Sequence, residues 1–339
     1  MIRTALLSKW HVHAEEYAQM AAENSSIEIA AVWDEEEERG RKWAEELGVP
    51  FEGSLGRILK NPEIHAVIVS APTNLHKEVI LQAAREKKHI FTEKVLAFTA
   101  SDCMEIYETV KENKVKLMVS LPRLTFPHYR FAMEAAESGV LGNITSIRCR
   151  VAHNGAVPEE GKPNGWLPAH FFDKAACGGG ALIDLGAHPI YLTNRIAGEA
   201  KAVTASFQYT FGHDVEDYAA VMVEYESGIH GIIETGFVSY GSPSLLEIYG
   251  TEGTLLIEEE QIRLKSIHKN NGEWKSTESL PSPLPMPMVQ WTEDIANDKE
   301  PDITEWDVLH LTLINEAAAL SAEKKGTVEV KDLTRSMNS

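Results

Sequence analysis

The sequence has no apolar run near the ~20 residues that a membrane-spanning helix requires. Its first apolar stretch, residues 5–7, is too short for the core of a signal peptide. Cysteine is scarce: Cys103, Cys149 and Cys177 are odd in number and show no CxxC spacing. This excludes a disulfide framework or a cysteine-built zinc site and fits a reducing, cytoplasmic setting. Positive charge is in deficit, with 32 Lys and Arg against 51 Asp and Glu and a net charge of −19. Such a chain lacks the positive footprint that nucleic acid or an anionic membrane needs, so neither is expected as a partner. A small anionic ligand remains admissible, because its binding depends on the local field. The most consequential absence is local. "TALLSKWHVHAEEYAQM", residues 4–20, reads as a strand running into a helix, where a dinucleotide fold carries G-x-G-x-x-G. Here the turn Ser8-Lys9-Trp10-His11 has no glycine.

The composition, 43% hydrophobic and 24% charged, is that of a globular protein, and 339 residues suit two domains. Residues 1 to about 120 alternate strand and helix patterns, which implies a parallel sheet covered on both faces. "VPFEG" reads as a short strand within this series, and "HAVIVSAP" as the next. Beyond that point strands of alternating pattern with short turns imply an antiparallel sheet. The expected division is 1–121 and 122–339, with two helices near 286–298 and 303–323 in the second domain.

Several residues could carry chemistry. Asp34 ends the second strand, where a carboxylate receives ribose hydroxyls and repels a 2′-phosphate. A plain helix cap is the alternative. The nearest arginines, Arg39 and Arg41, fall on the next helix and are not expected beside it. "SAPTNLHKEV", residues 70–79, follows a buried strand, and Asn74 either caps the helix or offers donors to a cofactor. "FTEKVLA", residues 91–97, places Glu93 and Lys94 at a strand end. Lys94 could stabilise charge on a substrate oxygen, or the two could form a surface ion pair. "GGGALIDLGAHPIYL", residues 178–192, reads as one helix starting from three glycines. Asp184 and His188 are then spaced i,i+4 on one face, where the carboxylate can orient an imidazole that takes a hydroxyl proton. The pair His11 and His13 would suit a metal if both lay on a strand. Because His13 begins a helix, no metal is expected.

Taken together, these residues resemble the Gfo/Idh/MocA family of oxidoreductases over nearly the whole chain. Ser8 stands at the family's first glycine, His13 at its customary histidine and Asp34 at its ribose-binding acid. Pro72 and His76 match its Pro-x-x-x-His segment. Asn74 falls one place later than the asparagine that often follows that proline. Glu93-Lys94 match E-K-P, with Val95 where proline is usual. Gly178 to His188 match G-G-G-x-L-x-D-x-G-x-H in full.

The resemblance implies an α/β chain: an N-terminal Rossmann domain plus a C-terminal α/β domain with a large open, mainly antiparallel sheet. The exposed face of that sheet commonly forms homodimers or homotetramers. The implied reaction is NAD-dependent oxidation of a secondary alcohol on a sugar, sugar derivative or cyclitol, with NADP less favoured. Lys94, Asp184 and His188 carry catalysis by this resemblance. The cofactor falls to Ser8, Lys9, Trp10, His13, Asp34, Ala71, Pro72, Thr73, Asn74, His76, Glu93 and Lys94. The glycine-less turn is expected to hold the pyrophosphate with Ser8, Lys9 and helix-start amides. Arg123, His153, Trp166 and His170 are expected to line the substrate site, since polar and aromatic groups suit a polyhydroxylated ring. Two other functions fit the same pattern: a glycosidase or eliminase that retains NAD for transient oxidation, and a non-enzymatic ligand sensor.

Overall fold

The computed structural model describes residues 1–277 and 279–335. The chain divides into two compact units: Met1–Ser120 with Pro285–Glu305, and Leu121–Leu284 with the chain from Trp306 onward.

The first unit is built on five parallel strands: β1 (Ile2–Leu7), β2 (Ile27–Trp33), β3 (Ala66–Val69), β4 (His89–Thr92) and β5 (Leu117–Val119). Their order is β2-β1-β3-β4-β5. All four residues of β3 are buried, as a strand covered on both faces requires. After β2 the chain crosses to the other side of β1, so the strand order switches there. Ligands of open parallel sheets bind at the C-terminal strand ends beside such a switch. "VPFEG" is not a strand; Phe51 makes an isolated bridge to Val32. Pro50 has no amide to continue a ladder.

The stretch Pro285–Glu305 belongs to this unit, which corrects a continuous second domain of 122–339. Its helix Pro287–Asn297 buries Trp291, whose ring lies 5.7 Å from that of Phe91. Lys116 Nζ also meets Asp294 Oδ1 at 2.7 Å. Apolar burial therefore returns this segment to the first core.

The second unit carries β6 (Ile144–Ala152), β7 (Ala200–Gln208), β8 (Tyr218–Tyr225), β9 (His230–Gly236) and β10 (Leu245–Gly250). β11 (Gly253–Glu258), β12 (Gln261–Ser266), β13 (Lys275–Thr277) and β14 (Val328–Glu329) complete it among the described residues. The order is β13-β12-β11-β10-β6-β9-β8-β7-β14. The β6–β9 pair is parallel and the others are antiparallel. Alternation sets the two faces. Ile147, Val221, Ile233 and Ile248 are buried on one. The other exposes Met222, Ile232 and Tyr249 around an ion pair of Arg148 Nε with Glu234 Oε2 at 2.5 Å.

The single helix expected over 178–197 is two, Ala181–Asp184 and Ala187–Ala197. Pro189 is the reason. It has no amide to donate to the Leu185 carbonyl, and its ring would crowd that carbonyl in a continuous helix. The Gly186 amide instead closes onto Ala181 O at 2.9 Å.

Candidate functional site

In the first unit, polar groups at four strand ends are tied together. After β1, Ser8 takes a left-handed conformation with φ 74°. Lys9 N donates to Asp34 Oδ2 at 2.8 Å, joining the end of β1 to that of β2. His11 N donates to Ser70 O at 3.0 Å, joining the turn to the end of β3. His13 Nδ1 lies 3.1 Å from Glu93 Oε2, beyond β4. Carboxylate, hydroxyl, imidazole and ammonium groups thus line the strand ends where a dinucleotide is held in this fold. In that respect the residues present fit NAD.

The phosphate-holding part is changed more deeply than the missing glycines alone suggest. Trp10 N is bonded to Ser8 Oγ at 3.1 Å, His13 N to His11 Nδ1 at 3.2 Å and Ala14 N to His11 O at 3.0 Å. These amides, with those of Lys9 and His11, already have partners inside the protein. Lys9 is also turned away from the expected duty. Its ammonium pairs with Glu15 at 2.8 Å and Glu46 at 2.9 Å, and lies 5.8 Å from the Trp43 ring centroid. A pyrophosphate here would compete with these backbone partners and the two carboxylates for Lys9 and the amides.

Asp34 is buried and fully engaged. Besides Lys9 N, its oxygens receive Glu36 N at 2.8 Å, Arg39 Nε at 3.0 Å and Arg39 Nη2 at 2.6 Å. Arg39 Nη2 also reaches Ser8 Oγ at 3.4 Å. The sequence reading placed Arg39 away from Asp34; the first turn of helix Glu37–Leu47 folds it back. A guanidinium across this carboxylate is a bidentate, charge-assisted pair. It puts positive charge at the end of β2, where the sequence alone offered a bare anion.

The third loop is more structural than expected. Ala71 and Pro72 are buried, Pro72 is the N-cap of helix Thr73–Arg85, and Asn74 is exposed inside it. Asn74 is therefore not the cap. His76 is buried with its two ring nitrogens 3.0 Å from Val95 O and from Ala71 O. It ties the loop after β3 to the loop after β4. Burial holds its pKa below the usual imidazole range despite these carbonyls. Glu93 and Lys94 do not form a surface pair; both are buried, with Lys94 Nζ 4.0 Å from Glu93 Oε1. The Lys94–Val95 peptide is cis.

Around Glu93 a second network appears that the sequence reading missed. The Tyr17 hydroxyl donates to Glu93 Oε2. His11 Nδ1 lies 3.7 Å from the same oxygen. Burial alone would raise the Glu93 pKa, but His11, His13 and Lys94 outweigh it and hold this carboxyl well below its usual range. Burial works against a charged His13 too, yet Glu93 raises its pKa above the ordinary imidazole value. The histidine pair, expected not to bind metal, thus acquires a third donor group.

In the second unit, Glu216 explains the glycine run. Its carboxylate accepts from Gly180 N at 3.0 Å and Leu182 N at 2.9 Å, and its carbonyl accepts from Ala181 N at 2.9 Å. A Cβ on Gly180 would lie 2.0 Å from Glu216 O. The helix start bearing Asp184 can approach the loop before β8 only through glycine. Burial pushes the Glu216 pKa up, and these amides pull against it.

The two helices are linked by Leu185 and Gly186, both in right-handed helical conformation. His188 places Nδ1 2.8 Å from the Tyr191 hydroxyl, which Arg123 N approaches at 3.3 Å. Arg123 Nη1 donates to the Tyr129 hydroxyl at 3.1 Å. Arg123 and His188 are thereby joined through Tyr191. The signal in the sequence was the i,i+3 spacing of His188 and Tyr191. His153 and Trp166 form a separate aromatic group. The His153 ring stacks on Phe237 at 5.2 Å and meets Trp166 at 4.7 Å. Trp166 is 48% exposed, so its ring offers a face to solvent. His170 sits on the turn Ala169–Phe172 beside Phe171. Beneath this loop Ala156, Leu167, Phe171, Phe172 and Phe237 form a buried cluster.

Similarity to known proteins agrees with this frame. Residues 10–121 match the oxidoreductase family with an NAD-binding Rossmann fold, and residues 129–256 match the GFO/IDH/MocA C-terminal domain. The chain belongs to the GFO/IDH/MocA oxidoreductase family. It is 27% identical over 230 residues to levoglucosan dehydrogenase of Pseudarthrobacter phenanthrenivorans, covering 60% of this chain and 58% of that protein. It is 30% identical over 244 residues to scyllo-inositol 2-dehydrogenase (NAD(+)) of Bacillus subtilis, covering 68% and 66%. The first of these matches thus spans little more than half of its relative. A solved structure of levoglucosan dehydrogenase in complex with NADH and L-sorbose shares the fold, with a TM-score of 0.85, 22% identity, and coverage of 98% of this chain and 100% of that one.

Proposed function

We propose that the protein is an NAD-dependent dehydrogenase that oxidises a secondary alcohol of a sugar, sugar derivative or cyclitol. The observation that carries this reading is the intact Gly178–His188 motif, held at its helix start by Glu216, in a chain that retains Lys94 at the end of β4. Its relatives named for levoglucosan and inositol dehydrogenation support the substrate class.

Bound nicotinamide supplies a hydride acceptor. The protein's own part is proton handling and positioning. When His188 Nδ1–H donates to the Tyr191 hydroxyl, Nε2 is left unprotonated and can take the alcohol proton. Asp184 orients this histidine with Tyr191. Lys94, buried and cationic, stabilises negative charge on the reacting oxygen. Asp34 takes the adenosine ribose hydroxyls in exchange for part of its present donors, with Arg39 beside it. His153 and Trp166 offer ring faces to the C–H surface of a sugar, and Arg123 a hydroxyl partner.

The half-apolar face with Met222, Ile232 and Tyr249 supports assembly into a homodimer or homotetramer. Among the described residues no helix is long and apolar enough to cross a membrane. Cys103, Cys149 and Cys177 form no disulfide among the described residues, which suits a cytoplasmic location. The test is a panel of inositols, anhydrosugars and aldoses with NAD, followed by nicotinamide absorbance. At least one cyclic polyol should be oxidised. A protein that holds NAD tightly, reduces none of it with any polyol, yet cleaves a nitrophenyl glycoside would be a redox glycosidase instead.

A further inference from the structure

The turn after β1 brings His11 beside His13 and Glu93, two residues also assigned to the cofactor. His11, His13 and Glu93 bring candidate ligand atoms within 4.8 Å of one another. Glu93 Oε2 stands 3.1 Å from His13 Nδ1 and 3.7 Å from His11 Nδ1. Ligand atoms around a tetrahedral ion with bonds near 2.1 Å are spaced by roughly 3.4 Å. These two distances straddle that spacing while the set as a whole spans up to 4.8 Å, so side-chain rotations would complete the site.

The surroundings are those of a prepared site. His11 and Glu93 are buried, with side chains 7% and 2% exposed, while His13 is 39% exposed. Two donors are thus fixed inside the unit and the third faces an entry path. His11 Nδ1 receives the His13 amide at 3.2 Å, so its one lone pair is already engaged, and ligation requires either that bond to open or the ring to use Nε2. The Tyr17 hydroxyl, fully buried, donates to Glu93 and fixes the carboxylate from behind, the usual outer support of a ligand. Tyr17 is itself set by edge packing on Phe91, with ring centroids 5.2 Å apart.

We propose that His11, His13 and Glu93 bind a divalent transition-metal ion, with zinc the best match to two imidazoles and one carboxylate. Three protein ligands leave a coordination position for water or an anion. With neutral imidazoles and one carboxylate the occupied site keeps a net positive charge. That charge stands at the turn whose glycine amides are missing, where such amides would otherwise attract an anion.

The inference does not depend on the dehydrogenase reading, and its test reads metal directly. Full-length protein, stripped with chelator and dialysed, is titrated calorimetrically with Zn²⁺ and followed by visible absorption with Co²⁺. One ion per chain is expected, with His13→Ala and Glu93→Gln each weakening it more than tenfold, at least the range seen for outer-shell changes. Thermal melts establish that both variants are folded. In the Co²⁺ form of the unaltered protein, two histidine ring N–H resonances should be paramagnetically shifted, a readout that needs no variant. Absence of stoichiometric binding, or binding unchanged in both folded variants, or no shifted histidine resonances, overturns the proposal. Failure of every polyol to react would leave these readouts untouched.

Discussion

Replacing His188 with alanine is expected to lower kcat by ~10²–10⁴-fold while changing the NADH dissociation constant by less than about threefold. The imidazole is proposed to take the alcohol proton, and its Nδ1 is already committed to Tyr191 at 2.8 Å. The cofactor residues lie on other elements, at the ends of β1, β2, β3 and β4. Steady-state rates and a fluorescence titration of the same preparation separate the two effects. Tyr191→Phe should give a milder version of the result and shift the pH profile of kcat, because it removes the partner that sets the His188 tautomer. Equal losses of turnover and NADH affinity in His188→Ala would mean that the residue holds the fold together, not that it moves a proton.

Gly180→Ala is expected to be strongly destabilising. The added Cβ would stand 2.0 Å from Glu216 O and 3.0 Å from the Glu216 backbone nitrogen. These are backbone atoms inside a buried contact, so relief requires the helix start to move away. That movement would break the bonds from Gly180 N and Leu182 N to the Glu216 carboxylate, leaving a buried acid without its donors. Overpacking of this kind costs about 3 kcal/mol, which for a chain of this size lowers the melting temperature by roughly 5–10 °C. Activity should fall with it, because Asp184 ends the displaced helix. A melting temperature within about 1 °C of the parent and full turnover would show that the glycine run has no such packing role.

The sequence made the frame legible for physical reasons. Buried parallel strands such as Ala66–Val69 are unbroken apolar runs, and exposed antiparallel strands such as Gln261–Ser266 alternate strictly. Both patterns follow from which faces are covered. The motif at 178–188 marked a candidate catalytic group because it is long. What could not be read was where short-range patterns met distant partners. Pro189 splits the helix expected from Gly178 onward into two, and that proline was visible. Arg39 lies five residues beyond Asp34, a separation that says little until the helix folds back. Lys9 looked like a phosphate ligand because Glu46, 37 residues away, is not adjacent in sequence. Glu216 and Glu93 act through tertiary contacts alone. The return of Pro285–Glu305 to the first unit likewise depends on Trp291 meeting Phe91, which no local pattern encodes.

The strand-end site is expected to bind NAD although its turn has no glycine and its amides already have partners. Energy transfer from the seven tryptophans during titration with NADH and with NADPH, after removal of co-purified nucleotide, tests it directly. Saturable NADH binding tighter than NADPH is predicted. Arg39→Ala should widen that gap by about tenfold, because it removes a charge-assisted contact available to a 2′-phosphate and leaves Asp34 to repel it. No saturable binding of either nucleotide to the folded protein would contradict the account, and the ligand-sensing alternative would then take its place.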